Sequence, residues 1–503
     1  MRKKPYPITQ LTGGLDVSVD AVYLTDKQSP NIQMARFHEG VLKKDFGFNS
    51  FGSVPGRPML FDTYATSGGS QYLILLTTEE MYKYNPLTEA FELVTGSDVF
   101  TGDEDDTFDT AIFDDLFIIT NGKDPVYKWD GSTFAVLGGL SSPNILCKCV
   151  IPFYNHLVMG FTIESGSNCP QRIRWSDTGD PEAWDDTDPS LNAGYMDLAD
   201  TVDWITGITR IGDRLYVFKE RSIWEISHVG GDQIFEARIV IDGVGSWAPN
   251  TIINLGEEII FYGSDGVYRF DGMALKSVSE EIYDKLYPTD TKIVNASKLN
   301  RAVGEYIEET GDYILVLPTS GDDPDWMLKY NLDQKTWIPR DLELAAIGLY
   351  DQGSIITWVD ATGAWNDTTW DVTWKERALP PGAPITLYAT LDGTVYKDDR
   401  LTESDDLLVW ESKDFIFSHQ QRVVELRVIA KGDAFDVAYS TDGGRLWSQD
   451  KTITPGEEYA EHILWLNVTC RRIRFRVKSY NGNINIKYLE PWYIPRARSD
   501  GGI

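Results

Sequence analysis

The 503-residue sequence predicts an all-β protein: a β-propeller of about six to eight blades, with loop insertions, followed by a C-terminal β-sandwich. Three observations carry this expectation. A hairpin unit ending in an aromatic residue recurs, and the aromatics Tyr82, Tyr127, Trp175, Trp224 and Tyr268 are spaced by 45, 48, 49 and 44 residues. That period is the length of a four-stranded blade. Aromatics are abundant (16 Trp, 25 Tyr, 21 Phe), and Gly and Asp interrupt the chain every few residues, as strands joined by tight turns require.

Residues 1–60 are rich in Gly and Pro with isolated β-segments, and read as an N-terminal arm or edge-closing segment. Residues 61–404 carry the repeat, at 71–91, 115–134, 155–177, 213–235, 257–275 and 312–337, with a looser copy at 385–401. Each copy is a hairpin. Alternation such as Val267-Tyr268-Arg269-Phe270 sends one face inward and one outward, and Asp-Gly and Asn-Gly pairs supply the positive φ that tight turns need. Helical periodicity is scarce; "SVSEEIYDKLY" at 277–287, with a capping-box start, is the best short helix. Residues 405–503 break the period. Longer alternating stretches such as "RVVELRVIAKG" predict a separate sandwich of about five to seven strands.

Charge divides at the same boundary. The first 404 residues hold 32 basic and 63 acidic side chains, the whole net charge of −31; the remainder holds 14 of each. An acidic unit of this kind repels duplex DNA rather than gripping it. The four cysteines, at 147, 149, 169 and 470, lack zinc-knuckle spacing and form no disulfide framework; Cys147 and Cys149 read as buried thiols on one strand face. The basic N-terminus has no apolar core, and no apolar run approaches the ~20 residues of a membrane helix, so a soluble protein made in a cytoplasm is expected.

No catalytic, metal or cofactor constellation emerges. "AYSTDGGRLWS" (438–448) nearly fits the Asp-box of sialidase-like propellers through Ser440, Asp442, Gly444 and Trp447, with Leu446 where the common motif has Thr. Such a box is a turn device: side-chain oxygens tie down a hairpin and Trp packs beneath it. The acidic runs 101–115 and 184–188 lack calcium-loop spacing and read as solvated loops. Five scattered histidines form no metal pair, and there is no GxSxG elbow or P-loop. In "RRIRFRVK" (471–478), Arg472, Arg474 and Arg476 share one strand face and are candidates for a subunit or partner contact.

Several segments resemble one family. "NIQMARFHEGVLKKDFGF" (31–48), "RIRWSDTGDPEAW" (172–184), "VWESKDFIF" and "YSTDGGRLW" are similar to segments of the β-propeller tail proteins of short-tailed bacteriophages, the packaged-DNA stabilisation (head-to-tail stopper) and tail nozzle proteins. The resemblance implies a virion protein made in the host cytoplasm, without cofactor or enzymatic activity. It also implies a ring, commonly a homo-hexamer, that contacts portal, adaptor and other tail proteins while DNA passes through its channel without sequence-specific binding. The alternative is a carbohydrate-binding propeller, a tail adhesin or inactive glycosidase relative, using aromatic loops such as "WVDATGAWNDTTWDVTW" (358–374).

Overall fold

The computed structural model describes residues 3–6, 10–96, 99–140, 144–231, 233–286, 294–351, 384–480 and 482–495. Every repeat unit forms the two middle strands of a four-stranded antiparallel sheet, and seven such sheets follow one another. Blades 1 to 6 occupy residues 58–93, 109–136, 145–197, 205–242, 253–277 and 303–341. The repeating aromatics all lie on third strands, opposite a second-strand apolar residue: Tyr82 faces Leu75, Tyr127 Ile119, Trp175 Val158, Trp224 Val217 and Tyr268 Phe261. A sheet with two apolar faces must be covered on both, and the neighbouring blades do this. Buried clusters accordingly sit between blades: Tyr64, Ile74, Phe117 and Trp129 join blades 1 and 2, and Val158, Trp175, Val217 and Trp224 join blades 3 and 4.

Blade 7 draws on distant parts of the chain. Its strands are Ala346–Tyr350, Ile385–Ala389, Thr394–Glu403 and, at the outer edge, Phe46–Ser53. The pairing runs from Thr394 opposite Ser53 to Glu403 opposite Phe46. Phe51 of this strand stacks on Tyr84 of blade 1 at 4.4 Å and meets Tyr350 edge-on at 5.9 Å, sealing the last blade to the first. The preceding hairpin turn requires glycine: Gly393 has φ +87, and a Cβ there would lie 2.1 Å from the Val54 carbonyl oxygen.

The C-terminal region differs from the expected sandwich in one respect. It is one continuous ten-stranded sheet, and the N-terminal strands Lys4–Pro5, Ile32–Gln33, Ala35–His38 and Val41–Lys44 belong to it. Continuity comes from two long strands, Phe415–Gly432 and Ala460–Ser479. Ala460–Ser479 pairs with Phe415–Gly432 along its first half and with Leu408–Glu411 and Phe435–Ser440 along its second. Register shifts near Val423 and positive φ at Asn467 let these strands bend from one layer into the other. Val428, Phe475, Val477 and Ile486 fill the space between the layers, in a cluster that runs on into blades 5 and 6 through Leu15, Met34 and Trp337. The short helix is reduced to a 3₁₀ turn, Glu280–Ile282, and one α-turn, Tyr283–Leu286. The Ser279 hydroxyl accepts from Val267 N at 2.9 Å instead of capping it.

A buried ion cluster ties these parts together. Asp45, between the C-terminal sheet and the closing strand, binds Lys329 Nζ at 2.7 Å and lies 3.8 Å from Arg340, both of blade 6. Burial alone would raise its pKa; the two cations outweigh that and hold it below the usual carboxylate range. Asp45→Ala leaves Lys329 without its ion-pair partner, while Arg340 keeps Asp406 at 3.1 Å. A loss of about 3–5 kcal/mol is expected in urea unfolding; an unchanged midpoint would contradict the assignment.

Candidate functional site

The first strands of successive blades touch in an unbroken cycle and surround a central axis. Their inner edges carry backbone groups with no further strand to pair with, and side chains supply partners. Asp109 of blade 2 accepts from Val150 N of blade 3 at 2.8 Å, and Thr110 donates to Asp62 of blade 1 at 2.5 Å. Glu305 of blade 6 accepts from its neighbour Tyr306 N at 2.9 Å. These three carboxylates are half-buried. Burial pushes Asp109 and Glu305 up to about 7, with Asp62 adding to both, and raises Asp62 as well. Beside Asp109, Lys148, Thr206 and Asn250 line a cavity of about 90 Å³.

An ionic brace links the segments before blades 2 and 6. Asp105, in the link between blades 1 and 2, binds Lys298 at 2.8 Å and Arg301 Nε at 2.7 Å, both in the link before blade 6. Arg301 and Arg57 converge on Asp323, at 3.0 and 2.6 Å. The hydrogen bond from Arg301, then those from Lys298 and Asn300, hold Asp105 well below the usual carboxylate range. The acidic run 101–115, expected as a solvated loop, is thus partly a clamp across the ring. Among the described residues, no group of three or more His, Cys, Asp or Glu is placed to hold a metal ion.

The two C-terminal motifs prove to be one cluster. Ser440 Oγ donates to Asp442 at 2.7 Å and accepts from Gly444 N at 2.9 Å; Asp442 accepts from the backbone N of Arg445 and Leu446. Gly444 has φ +88, and a Cβ there would lie 2.9 Å from Arg474. Arg472 and Arg474 both bind the buried Asp414, Arg474 also lies 3.4 Å from Glu411, and Arg476 stacks over Trp447 at 4.1 Å. Of the three arginines expected to meet a partner, Arg472 and Arg476 are half-buried, whereas Arg474 is not free for one. Arg474 is buried, and its charge is met by Asp414 and Glu411 inside the chain. Asp414 and Glu411 were missed because no local spacing links them to residues some 60 positions away.

No protein-family model and no curated protein matches the chain. Among solved structures, it is similar to the Pan2 WD40 domain of Neurospora crassa, at 8% identity and a TM-score of 0.38, over 72% of this chain and 98% of that one. It is also similar to the computationally designed Ika8 protein, at 8% identity and a TM-score of 0.33, over 69% of this chain and 99% of that one. The blade count rests on the seven sheets of this chain itself. The aromatic stretch 358–374 lies outside the described residues.

The axial acids make stability depend on pH. Folding raises the Glu305 pKa from 4.5 to about 7. The folded chain therefore holds this proton more tightly, and the associated stability is complete below the unfolded value and is lost as pH rises through 7. Glu305→Gln removes that loss. At pH 8 it should gain about 1–3 kcal/mol over the parent, with little difference at pH 4, by urea unfolding at both values. Parallel pH profiles would contradict this.

Proposed function

We propose that the chain is a structural, non-catalytic protein of a bacteriophage tail, a nozzle, hub or head-to-tail stopper. Copies, commonly six, form a ring whose acidic channel retains DNA and then passes it. The observation that carries this reading is the segregation of charge. The entire −31 lies in the first 404 residues, which include every propeller strand, whereas the last 99 are neutral. DNA inside such a ring is repelled from every side, its lowest-energy position is near the axis, and sliding meets few adhesive contacts. Screening over ~8–10 Å at physiological salt leaves this work to residues at the channel wall. The Asp105 brace, which ties the link before blade 2 to the link before blade 6, supports a channel between copies rather than through one.

The resemblance of residues 31–48 and 172–184 to tail proteins supports the same reading from sequence. Size-exclusion chromatography with light scattering is expected to give a ring of about six copies, with an open centre in negative-stain images and no retention of duplex DNA at physiological salt. A monomer that binds glycans would favour the carbohydrate-binding alternative, and tight DNA binding would overturn the electrostatic account.

A further inference from the structure

Two exposed apolar patches lie on opposite units of the chain. The first is on blade 4 and the links flanking it. Val202 is 93% exposed, Trp204 53% and Trp247 37%. They are neighbours: Glu220 N donates to the Trp204 carbonyl at 3.0 Å, and the Trp247 indole donates to the Glu220 carbonyl at 2.9 Å. The segment bearing Val202 and Trp204 is held rigidly. Lys219, wholly buried, donates to Leu198 O, Thr201 O and Thr201 Oγ1 at 2.7–3.1 Å and pairs with Asp203 at 3.1 Å; Asp203 also accepts from Arg221 N and Ser222 Oγ. A buried charge saturated in this way is a costly means of fixing a loop, and this loop presents a valine and a tryptophan to solvent. Pre-ordered Trp is the commonest anchor of protein interfaces.

The second patch is on the C-terminal sheet. Ile463 is 42% exposed and Trp465 56%. Among the described residues, the outer edge of 460–469 pairs with no strand. Cations fringe it: Lys3, paired with Glu425 at 2.7 Å, lies over the Trp465 ring at 4.8 Å, Lys451 donates to the Trp465 carbonyl, and Arg422 donates to Asn467. Lys451 and Arg422 make no ion pair among the described residues. The blade-4 patch has the opposite surplus. Asp200 and Glu220 make no ion pair among the described residues, beside one exposed cation, Arg221, in a region that holds all of the net negative charge.

We propose that the two patches are the two halves of one head-to-tail contact: the Val202/Trp204/Trp247 surface of one copy seats against the Ile463/Trp465 edge of the next. Two different, mutually complementary patches on one chain make a heterologous interface, which closes into a ring when the rotation between copies allows. This rests on the ring reading and names the surfaces that build it.

Trp204→Asp and Trp465→Asp, with Val202→Asp and Ile463→Asp as second variants at each patch, are compared by light scattering after circular dichroism has established native folding. Each alone should reduce the assembly to monomers. An equimolar mixture of Trp204→Asp and Trp465→Asp copies should yield dimers, because one intact half remains on each partner. Assembly unaffected by variants at either patch, or a mixture that stays monomeric, overturns the contact and leaves the ring reading standing. A monomeric parent protein overturns both. A monomeric parent that binds a glycan panel through Trp204 assigns the patch to a sugar instead.

Discussion

A propeller is a closed ring of blades, and closure requires that its last sheet be completed from the other end of the chain. Here Phe46–Ser53 does this by pairing with Thr394–Glu403. Until those strands meet, blade 7 lacks an edge and the apolar faces of blades 6 and 1 lack a complete neighbour. Contacts so far apart in sequence carry a large loop-closure entropy. The chain offsets it with several reinforcements at one place: the Phe51–Tyr84 stack, the Gly393 turn against Val54, and Asp45 held by Lys329 and Arg340. The segment just before the closing strand, Ala35–His38 and Val41–Lys44, belongs to the C-terminal sheet, so ring closure and docking of that sheet are one event.

The same economy governs charge. Acids inside the propeller are placed where a specific group needs them: Asp109 satisfies an inner-edge N–H, Asp105 braces blade 2 to blade 6, and Asp203 fixes the loop of Trp204 through Lys219. With the other acids of the first 404 residues they give that part of the chain its net charge of −31. In the neutral C-terminal region, Asp414 and Glu411 meet the charge of the buried Arg474.

Blade architecture was legible in the sequence because each blade repeats a local signal, a hairpin whose strand alternation and turn residues are set within about twenty positions. Both period and charge change near residue 405. Relations between distant residues were not legible. Nothing near Asp105 announces Lys298, and nothing in the alternation of Arg472, Arg474 and Arg476 reveals Asp414. A basic strand face looks the same whether it is exposed or paired with buried acids. The bonds of the Asp-box residues are local, but their packing on the arginines is a cross-strand fact, set by Ser440 opposite Arg474 and Ala438 opposite Arg476.

Native-state hydrogen exchange tests the central claim, that one N-terminal strand closes the ring and locks the C-terminal sheet to it. The account predicts that amides of Phe46–Ser53 are protected and open together with those of Thr394–Glu403 and Val41–Lys44, as one cooperative unit. Rapid, independent exchange of Phe46–Ser53 while blades 1 to 6 stay protected would contradict it.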